Sequence, residues 1–274
     1  MVVFPNAKIN LGLRVTAKRQ DGYHELDTVF MPIPLNDILE VITRHDVEDS
    51  DFSFSQTGLP IPGELNSNLC FKAYKLLKKD HPDLPSIKVH LHKIIPMGAG
   101  MGGGSSDGAF MLKLLNEKFN LQIDQSTLKQ YALQLGSDCP FFIDNTPCSA
   151  TGRGEILEPI SLDLKGKNLV LVCPGIHVST AQAFANINLS PEAIFSKEIV
   201  KMPIEEWKAL LINDFEETVF ASHPQLKSIK DELYEMGAEY AAMSGSGSTV
   251  FGIFHNEVPA KQWPEHYHVF VEKI

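Results

Sequence analysis

A glycine-rich stretch near the middle of the chain has the composition of an anion-binding loop. PMGAGMGGGSSDGAF, residues 96–110, holds six glycines in fifteen residues, together with two serines and an aspartate. It follows the strand-like run IKVHLH and leads into a helix that we expect to begin at Ser105, Ser106 or Asp107. Glycines let the main chain approach an anion closely, and the N–H groups and positive dipole end of a helix favour negative charge. The stretch therefore predicts a site for phosphate groups.

The stretch differs from two familiar phosphate-binding designs. No lysine follows the glycines, so the Walker pattern GxxxxGK[ST] fails and a phosphate-binding lysine would have to come from elsewhere. The dinucleotide pattern GxGxxG matches at Gly98, Gly100 and Gly103, but a Rossmann unit also needs a second parallel strand ending in an acidic residue. In the sequence NLQIDQSTLKQYALQLG, at most four residues could form such a strand before another helix begins at Asp124. The alternative is a glycine-rich connection without a ligand.

Several other polar residues could do chemistry, and each has a plainer explanation when taken alone. Lys8 and Asn10 alternate with apolar residues in AKINLGLRV, which puts both on one face of a strand. That face could belong to a site or could simply be exposed to solvent. Tyr23 and His24 follow Asp-Gly, which is typical of a turn that presents two rings, or of a hairpin tip. Asp138 in GSDCPFF follows a helix end, where it could act chemically or cap the following turn. MSGSGSTVF gives a second small-residue turn before a strand.

A mixture of helices and strands must position these residues. Strand-like runs occur at Ala7–Thr16, Ile38–Thr43, Ile87–His92, Asn168–Cys173, Thr249–Phe254 and His268–Val271. Helical spacing occurs at Leu69, Ala73, Leu76 and Leu77; at Met111, Leu114, Leu115 and Phe119; and at Leu128, Tyr131, Ala132 and Leu135. Gly136 and Gly237 are expected to stop helices. Polar, glycine-bearing text between Gly152 and Asn168 favours a boundary between two halves.

Composition limits the class of protein. With 274 residues and 43% hydrophobic residues the chain can bury a sizeable core. A net charge of −10 disfavours binding to nucleic acid or to an anionic membrane surface, so an anionic ligand must be held by local donors. No apolar run is long enough for a membrane span and the N-terminus lacks a signal-peptide layout, so we expect a cytoplasmic protein. Four well-separated cysteines are expected to be buried, without disulfide or zinc.

The motifs together resemble the GHMP kinase superfamily. The segments that carry the resemblance, in this order and at these separations, are AKINL, DGYH, PMGAGMGGGSSDGA, GSDCPFF, CPGIHVSTAQAF and MSGSGSTVF. DGYH and GSDCPFF narrow it to the members that act on 4-diphosphocytidyl-2-C-methyl-D-erythritol. The resemblance implies a two-domain α+β fold, with an N-terminal half like ribosomal protein S5 domain 2 and a ferredoxin-like C-terminal half. We expect these halves at residues 1–158 and 159–274.

The resemblance also implies an activity and residues for it. The expected reaction is ATP-dependent phosphorylation of the 2-hydroxyl of that cytidine diphosphate substrate, in the non-mevalonate isoprenoid precursor pathway. The alternatives are a homoserine-type or mevalonate-type kinase of the same superfamily, or a nucleotide-binding protein without transfer activity.

The resemblance also implies roles for individual residues. By motif position Lys8 and Asp138 match the catalytic pair. The expected ATP-binding residues are Pro96, Met97, Gly98, Ala99, Gly100, Met101, Gly102, Gly103, Gly104, Ser105 and Ser106. The expected substrate-binding residues are Asn10, Tyr23, His24, Lys93, Thr180 and Phe184, with exposed loop positions as the alternative for Lys93 and Thr180. Magnesium is expected with ATP, held by unspecified ligands.

Overall fold

The computed structural model describes residues 1–44, 51–185, 187–190 and 194–274, and it confirms the mixture of helices and strands. Its strands are β1 (Val2–Val3), β2 (Asn6–Lys18), β3 (His24–Asn36), β4 (Ile38–Thr43), β5 (Phe52–Gly58), β6 (Ile87–Lys93), β7 (Cys148–Gly152), β8 (Ile156–Pro159), β9 (Asn168–Cys173), β10 (Tyr240–Met243), β11 (Val250–Phe254) and β12 (His268–Lys273). Its helices are α1 (Leu69–Asp80), α2 (Gly103–Lys118), α3 (Gln125–Leu135), α4 (Phe141–Asp144), α5 (Thr180–Ala185), α6 (Ser196–Ile199), α7 (Ile204–Leu210), α8 (Phe215–Ser222) and α9 (Pro224–Glu235). All six strand-like runs and all three helical patterns read from the sequence correspond to elements in these sets.

The chain divides into two compact units, and each is assembled from separate stretches. The first unit contains residues 1–7, 35–97 and 102–145, and the second contains residues 8–34, 98–101 and 146–274. The second unit takes residues from near the N-terminus because β2 and β3 share a four-stranded sheet with β7 and β8. The division therefore differs from a simple split of the chain into 1–158 and 159–274, which stays a prediction for the two family domains.

The first unit places helices beside a sheet of strand order β1-β4-β6-β5. Strand β4 runs antiparallel to β6, and β5 runs parallel to it. Helix α1 begins after Asn68, whose side chain accepts a hydrogen bond from the Cys70 amide, and it buries Cys70, Ala73, Tyr74 and Leu77. This spacing of one buried residue every three or four positions puts the apolar face of α1 on the core.

Gly108 allows α1 and α2 to pack closely. A Cβ atom at residue 108 would lie 2.9 Å from the Cβ of Leu69, which is nearer than real Cβ contacts come. A glycine in a helix interior is less favourable than alanine by about 1 kcal/mol of helix propensity. The close approach of α1 at Leu69 gives a structural reason for the glycine.

The second unit contains the β2-β3-β7-β8 sheet and an antiparallel sheet of order β10-β11-β9-β12. Counted along the chain within this second sheet, the order is second, third, first, fourth, which is the strand order of a ferredoxin-like sheet. Residues 255–267, between β11 and β12, are described throughout and form no helix. The central strands β9 and β11 are buried at nearly every position. None of the helices in the described ranges is both long enough and apolar enough to cross a lipid bilayer.

Candidate active site

Lys8 and Asn10 lie on one face of β2, as the sequence predicts, but that face is buried. Lys8 Nζ donates a hydrogen bond to Asn10 Oδ1 at 2.6 Å, and Asn10 Nδ2 donates to Thr28 Oγ1 at 3.0 Å. The Lys8 ammonium also lies over the ring of Phe30, 4.4 Å from its centroid. All three polar side chains are at most 4% exposed. Solvent exposure therefore does not explain this pattern, because a buried lysine and asparagine need specific partners.

The first part of the glycine-rich loop, residues 98–101, belongs to the same unit as β2. The Lys8 amide donates to the Met101 carbonyl oxygen at 3.0 Å. Ser244, in the turn between β10 and β11, donates its hydroxyl to Gly100 O at 2.9 Å and accepts from the Asn10 amide at 3.2 Å. One hydroxyl group thus joins the loop to the strand that carries Lys8.

Gly100 cannot carry a side chain in this arrangement. Its φ is +81°, in the left-handed region, and an added Cβ would lie 2.0 Å from the Ser244 carbonyl oxygen. The following Gly102 also has a positive φ, of +70°. The loop therefore needs glycine for its backbone path as well as for access to a ligand.

The second part of the loop forms the start of α2 in the first unit. The helix begins at Gly103, with Gly102 as its N-cap, so the predicted start at Ser105, Ser106 or Asp107 is wrong by two to four residues. The helix begins nearer the N-terminus than predicted because its first residues pack where side chains would not fit. A Cβ at Gly103 would lie 2.8 Å from Ile95 Cγ2. Ser105 therefore lies in the first turn, where backbone N–H groups have no partner within the helix, whereas the Ser106 amide donates to the Gly102 carbonyl oxygen at 2.9 Å.

A small cavity of about 90 Å³ lies at this end of α2. Residues from the loop, from α1 and from the segment before α1 line it: Ile61, Pro62, Ser67, Asn68, Leu69, Met97, Gly104 and Asp107. The cavity belongs wholly to the first unit. It combines apolar walls with three polar side chains, those of Ser67, Asn68 and Asp107, which suits part of a small organic ligand.

Lys93, predicted as a substrate contact, lies in a buried ionic cluster of the first unit. Its ammonium group is fully buried and forms ion pairs with Asp37 and with Asp107, the latter at 2.9 Å. Burial alone would lower the pKa of Lys93, but the two carboxylates outweigh it and raise that pKa above its ordinary value. Lys93 is therefore not the exposed loop residue of the alternative, and its enclosure by two carboxylates favours a structural role.

The two carboxylates around Lys93 differ in their surroundings. Asp37 also accepts hydrogen bonds from the amides of Ile94 and Ile95, at 2.5 and 2.9 Å. Asp107 has one oxygen on Lys93, while its other oxygen is buried and has no hydrogen-bond partner among the described residues. Burial, partly offset by Lys93, raises the pKa of Asp107 to about 7. Asp107 is therefore the weaker partner in the cluster.

Asp138 lies in the turn between α3 and α4 in the first unit, where it is half-buried. The N-cap residue of α4 is Pro140, so Asp138 does not occupy the capping position of that helix. Gly136 directly follows α3, as predicted, and its carbonyl oxygen accepts from the Cys139 amide at 3.1 Å. The turn thus fixes the backbone on both sides of Asp138.

The predicted substrate residues other than Lys93 belong to the second unit. His24 and Phe184 stack with ring centroids 4.6 Å apart and an interplanar angle of 15°. Thr180 and Ser246 share a hydrogen bond between their hydroxyl groups at 3.0 Å. Tyr23, next to His24, is 55% exposed. The structure therefore brings His24 and Phe184 together as a pair of stacked rings.

Asn213 was not predicted from the sequence, but it supports the turn that contacts the glycine-rich loop. Asn213 is buried, and its amide nitrogen donates to the carbonyl oxygens of Met243 and Gly245, at 2.7 and 2.8 Å. These bonds hold the turn that contains Ser244. A single asparagine between Ile212 and Asp214 gives no periodic or motif signal, so only the fold reveals its role.

A large cavity of the second unit is lined by none of the predicted site residues. It has a volume of about 760 Å³ and is lined mainly by α8, α9 and the residues before α8. Most of its charged side chains pair with one another, as Arg14 does with Asp214 at 2.9 Å and Lys230 with Glu216 at 2.6 Å. We assign no function to it, because these charges are already neutralised.

Comparison with known proteins identifies the family of the chain. The GHMP kinases N terminal domain matches residues 68–152 and the GHMP kinases C terminal domain matches residues 196–265. A 4-diphosphocytidyl-2-C-methyl-D-erythritol kinase from Bacteroides thetaiotaomicron is 52% identical over 265 residues, which cover 96% of each chain. The chain belongs to the GHMP kinase family. GHMP kinases of this kind are ATP-dependent small-molecule kinases, and the expected fold class is confirmed.

Further relatives of this GHMP kinase carry the same description. A 4-diphosphocytidyl-2-C-methyl-D-erythritol kinase from Cytophaga hutchinsonii is 47% identical, covering 98% of this chain and 95% of the relative. A crystal structure of 4-(cytidine 5′-diphospho)-2C-methyl-D-erythritol kinase superposes with a TM-score of 0.79 at 32% identity, covering 92% and 90% of the two chains. A homoserine kinase structure from Cytophaga hutchinsonii, at 12% identity and a TM-score of 0.71 over 100% and 94% of the chains, shares the fold.

Proposed function

We propose that this chain transfers the γ-phosphoryl group of ATP to the 2-hydroxyl of 4-diphosphocytidyl-2-C-methyl-D-erythritol, in the cytoplasm, as a step of non-mevalonate isoprenoid precursor synthesis. The observation that carries the proposal is the identity of about half of all residues, over 93% or more of the chain, with relatives that bear this activity as their name. Similarity to homoserine and mevalonate kinases is limited to the fold, at 12–16% identity. This difference favours the cytidylated substrate over the other alcohols.

ATP is proposed to bind with its phosphates on the loop from Pro96 to Ser106. Support comes from the positive φ angles of Gly98, Gly100 and Gly102 and from the helix that begins directly after them. A loop of this kind presents backbone N–H groups to phosphate oxygens without side chains in the way. The nucleoside end of ATP is proposed to enter the cavity beside Met97 and Gly104.

Magnesium is proposed to bind mainly through the phosphates of ATP. The described residues contain no group of three or more His, Cys, Asp or Glu side chains placed to hold a metal ion. Ser106 Oγ, however, is buried without a hydrogen-bond partner among the described residues, and hydroxyl oxygen is a ligand type that Mg²⁺ accepts. Ser106 therefore fits as a protein ligand, and the ion would neutralise charge on the transferred phosphoryl group.

The acceptor hydroxyl is proposed to be activated by Asp138 and Lys8. The Asp138 carboxylate would accept the hydroxyl proton as the oxygen bonds to the γ-phosphorus and ADP leaves. The Lys8 ammonium would hold the hydroxyl oxygen and stabilise negative charge that develops on it. Support for Lys8 comes from its fixed position, since Asn10 and the Phe30 ring orient the ammonium group before substrate binds.

The cytidine end of the substrate is proposed to bind at Tyr23, His24 and Phe184. Two of these rings already form a parallel stack, and a pyrimidine base is another flat ring of similar width. Asn10 and Thr180 are proposed to contact the remainder of the substrate through their amide and hydroxyl groups. Lys93 is withdrawn from this set because both of its partners are buried carboxylates.

A coupled assay of ADP release tests the proposal. The purified chain is incubated with ATP, Mg²⁺ and one acceptor at a time: the cytidylated methylerythritol, homoserine, mevalonate, or none. We expect turnover only with the first. Turnover with homoserine or mevalonate instead would favour a sibling kinase, and ATP binding without turnover on any acceptor would favour a binding protein.

Asp138→Asn tests the assignment of the base. It removes the proton acceptor while keeping size, so turnover should fall by about 10³-fold while ATP binding and the unfolding midpoint are retained. Asp83→Asn, at an exposed position of the same unit, is the matched control. Near-normal turnover of Asp138→Asn would remove this residue from the mechanism.

A further inference from the structure

Arg153 lies in the turn between β7 and β8 and stacks on the ring of Tyr23. The guanidinium carbon is 4.8 Å from the ring centroid, within the range of a cation–π contact. The sequence gives no role to Arg153. Tyr23 is a large aromatic residue that is more than half exposed, so a contact on one face of its ring determines how the other face is presented.

The backbone of Arg153 is fixed against β3 and by its own turn. The Gly152 amide donates to Glu25 Oε1 at 2.9 Å, and the Arg153 amide donates to Glu155 Oε2 at 2.5 Å. Two carboxylates thus hold consecutive amides of the turn. The guanidinium group consequently starts from a defined position.

The backbone of Tyr23 is linked to Glu25 through Asp21 and Arg19. Arg19 pairs with Glu25 Oε2 at 2.8 Å and with Asp21 Oδ2 at 3.1 Å, and the Tyr23 amide donates to Asp21 Oδ1 at 3.1 Å. Glu25 therefore links the tip of the β2–β3 hairpin to the turn that carries Arg153. The distance between the two stacked residues is set by this network.

The two arginines of this network differ in what orients them. Arg19 forms short ion pairs with two carboxylates, whereas Arg153 Nε lies 3.6 Å from Glu155 Oε1, which is longer than a hydrogen bond. Besides this long ion pair, the Arg153 guanidinium contacts the Tyr23 ring. Arg153 is thus placed to orient that ring.

We propose that Arg153 is a positioning residue for the cytidine end of the substrate: it covers one face of Tyr23 and holds the opposite face ready to stack on the base. The proposal rests on the proposed function, which assigns Tyr23 to substrate binding. A ring that is ordered before binding loses less conformational freedom when the base arrives. The effect should therefore appear in substrate affinity and leave the phosphoryl-transfer step unchanged.

Kinetics of Arg153→Met and Arg153→Lys test the proposal, together with calorimetric binding of cytidine diphosphate as a probe. Arg153→Met keeps length but removes the cation, so the KM for the cytidylated substrate and the Kd for the probe should rise about threefold to thirtyfold. The kcat and the KM for ATP should stay within about twofold. Arg153→Lys keeps a cation over the ring and should restore most of the affinity.

A double-mutant cycle separates this role from a direct contact between Arg153 and substrate. If Arg153 acts through Tyr23, adding Arg153→Met to Tyr23→Leu should cause no further rise in KM. Lys18→Met, which removes an exposed cation from the same hairpin, is the control and should leave KM unchanged. An unchanged KM in Arg153→Met would overturn the proposal, and so would an equal loss in the Tyr23→Leu background. Absence of turnover in the unmodified enzyme would instead count against the proposed function.

Discussion

Two lysines of this chain are buried to almost the same degree but are held in different ways. Lys93 in the first unit lies between Asp37 and Asp107, so its charge belongs to a closed ionic cluster. Lys8 in the second unit donates to the amide oxygen of Asn10 and lies over the ring of Phe30. Both looked functional in the sequence. We therefore expect the partners of a buried lysine, and not its burial, to indicate whether it stabilises the fold or takes part in the reaction.

The largest expected effect concerns Lys8. Lys8→Met removes the ammonium group while keeping chain length, so we expect kcat to fall by about 10³-fold. The unfolding free energy should fall by about 1–3 kcal/mol, since the buried hydrogen bond to Asn10 and the contact with the Phe30 ring are both lost. Steady-state kinetics and urea unfolding measure the two quantities, with Lys18→Met on the same strand as the control. A variant that unfolds but retains kcat would reverse the comparison.

Lys93→Met should give the opposite result. Removing the ammonium leaves the carboxylates of Asp37 and Asp107 buried together, and breaking such a cluster destabilises a protein by about 3–5 kcal/mol. Turnover per folded molecule should stay within a few-fold of the unmodified enzyme. Urea unfolding and active-site titration check both, and Lys88→Met, at an exposed position of the same strand, should be neutral. A stable Lys93→Met variant without activity would return Lys93 to the substrate site.

Gly100→Ala tests whether the backbone around Lys8 and the loop is as restricted as the structure indicates. The new methyl group would overlap the Ser244 carbonyl oxygen, so the loop must move and the KM for ATP should rise about 10-fold to 100-fold. Gly98→Ala is the matched comparison, because its φ of +66° is also strained but no atom lies within 4 Å of the added carbon. Equal effects of the two substitutions would show that strain, and not the contact with Ser244, limits the loop.

The smallest effect distinguishes the two partners of Lys93. Asp37→Asn should destabilise the fold by about 2–3 kcal/mol because Asp37 accepts from Lys93 and from two amides, while Asp107→Asn should cost about 1 kcal/mol at neutral pH. Urea unfolding of both variants beside the unmodified chain measures these differences. The opposite order would show that Asp107 is the main partner of Lys93.

The pKa of Asp107 adds a pH dependence to this result. Its folded pKa of about 7 exceeds the unfolded value of about 3.9, so protonation stabilises the fold below about pH 4 and this contribution is lost as the pH rises to 7. Asp107→Asn lacks this titration. Its stability relative to the unmodified chain should therefore improve between pH 5 and pH 8, and a constant difference would contradict the raised pKa.

The sequence predicts the elements with strong periodicity and misses those without it. Strand β4 has its predicted bounds, and β2 and β6 differ by at most two residues at either end. Strand β3 was not predicted, because Pro32 and Pro34 interrupt its pattern and because its first residue, His24, belongs to the DGYH motif that was interpreted as a turn. Prolines are tolerated in strands only where no ladder hydrogen bond is needed, which a single sequence cannot show.

In the candidate site too, features set by local geometry were predicted and features set by the fold were not. The alternation of Lys8 and Asn10 predicted a shared face correctly, since strand geometry alone determines it. The role of Lys93 could not be predicted, because Asp37 lies 56 residues away and only the fold brings it to the ammonium group. The start of α2 was misplaced because packing against Ile95 outweighs the low helix propensity of glycine.

The hydroxyl of Ser244 touches Asn10 and Gly100, which are 234 and 144 positions away along the chain. Three segments encoded far apart in the gene thus meet at one oxygen atom. A substitution in one segment changes which substitutions the other two can accept. Substitutions in the three segments should therefore be correlated among related enzymes. Exchange of a single segment between related enzymes should consequently fail more often than exchange of all three together.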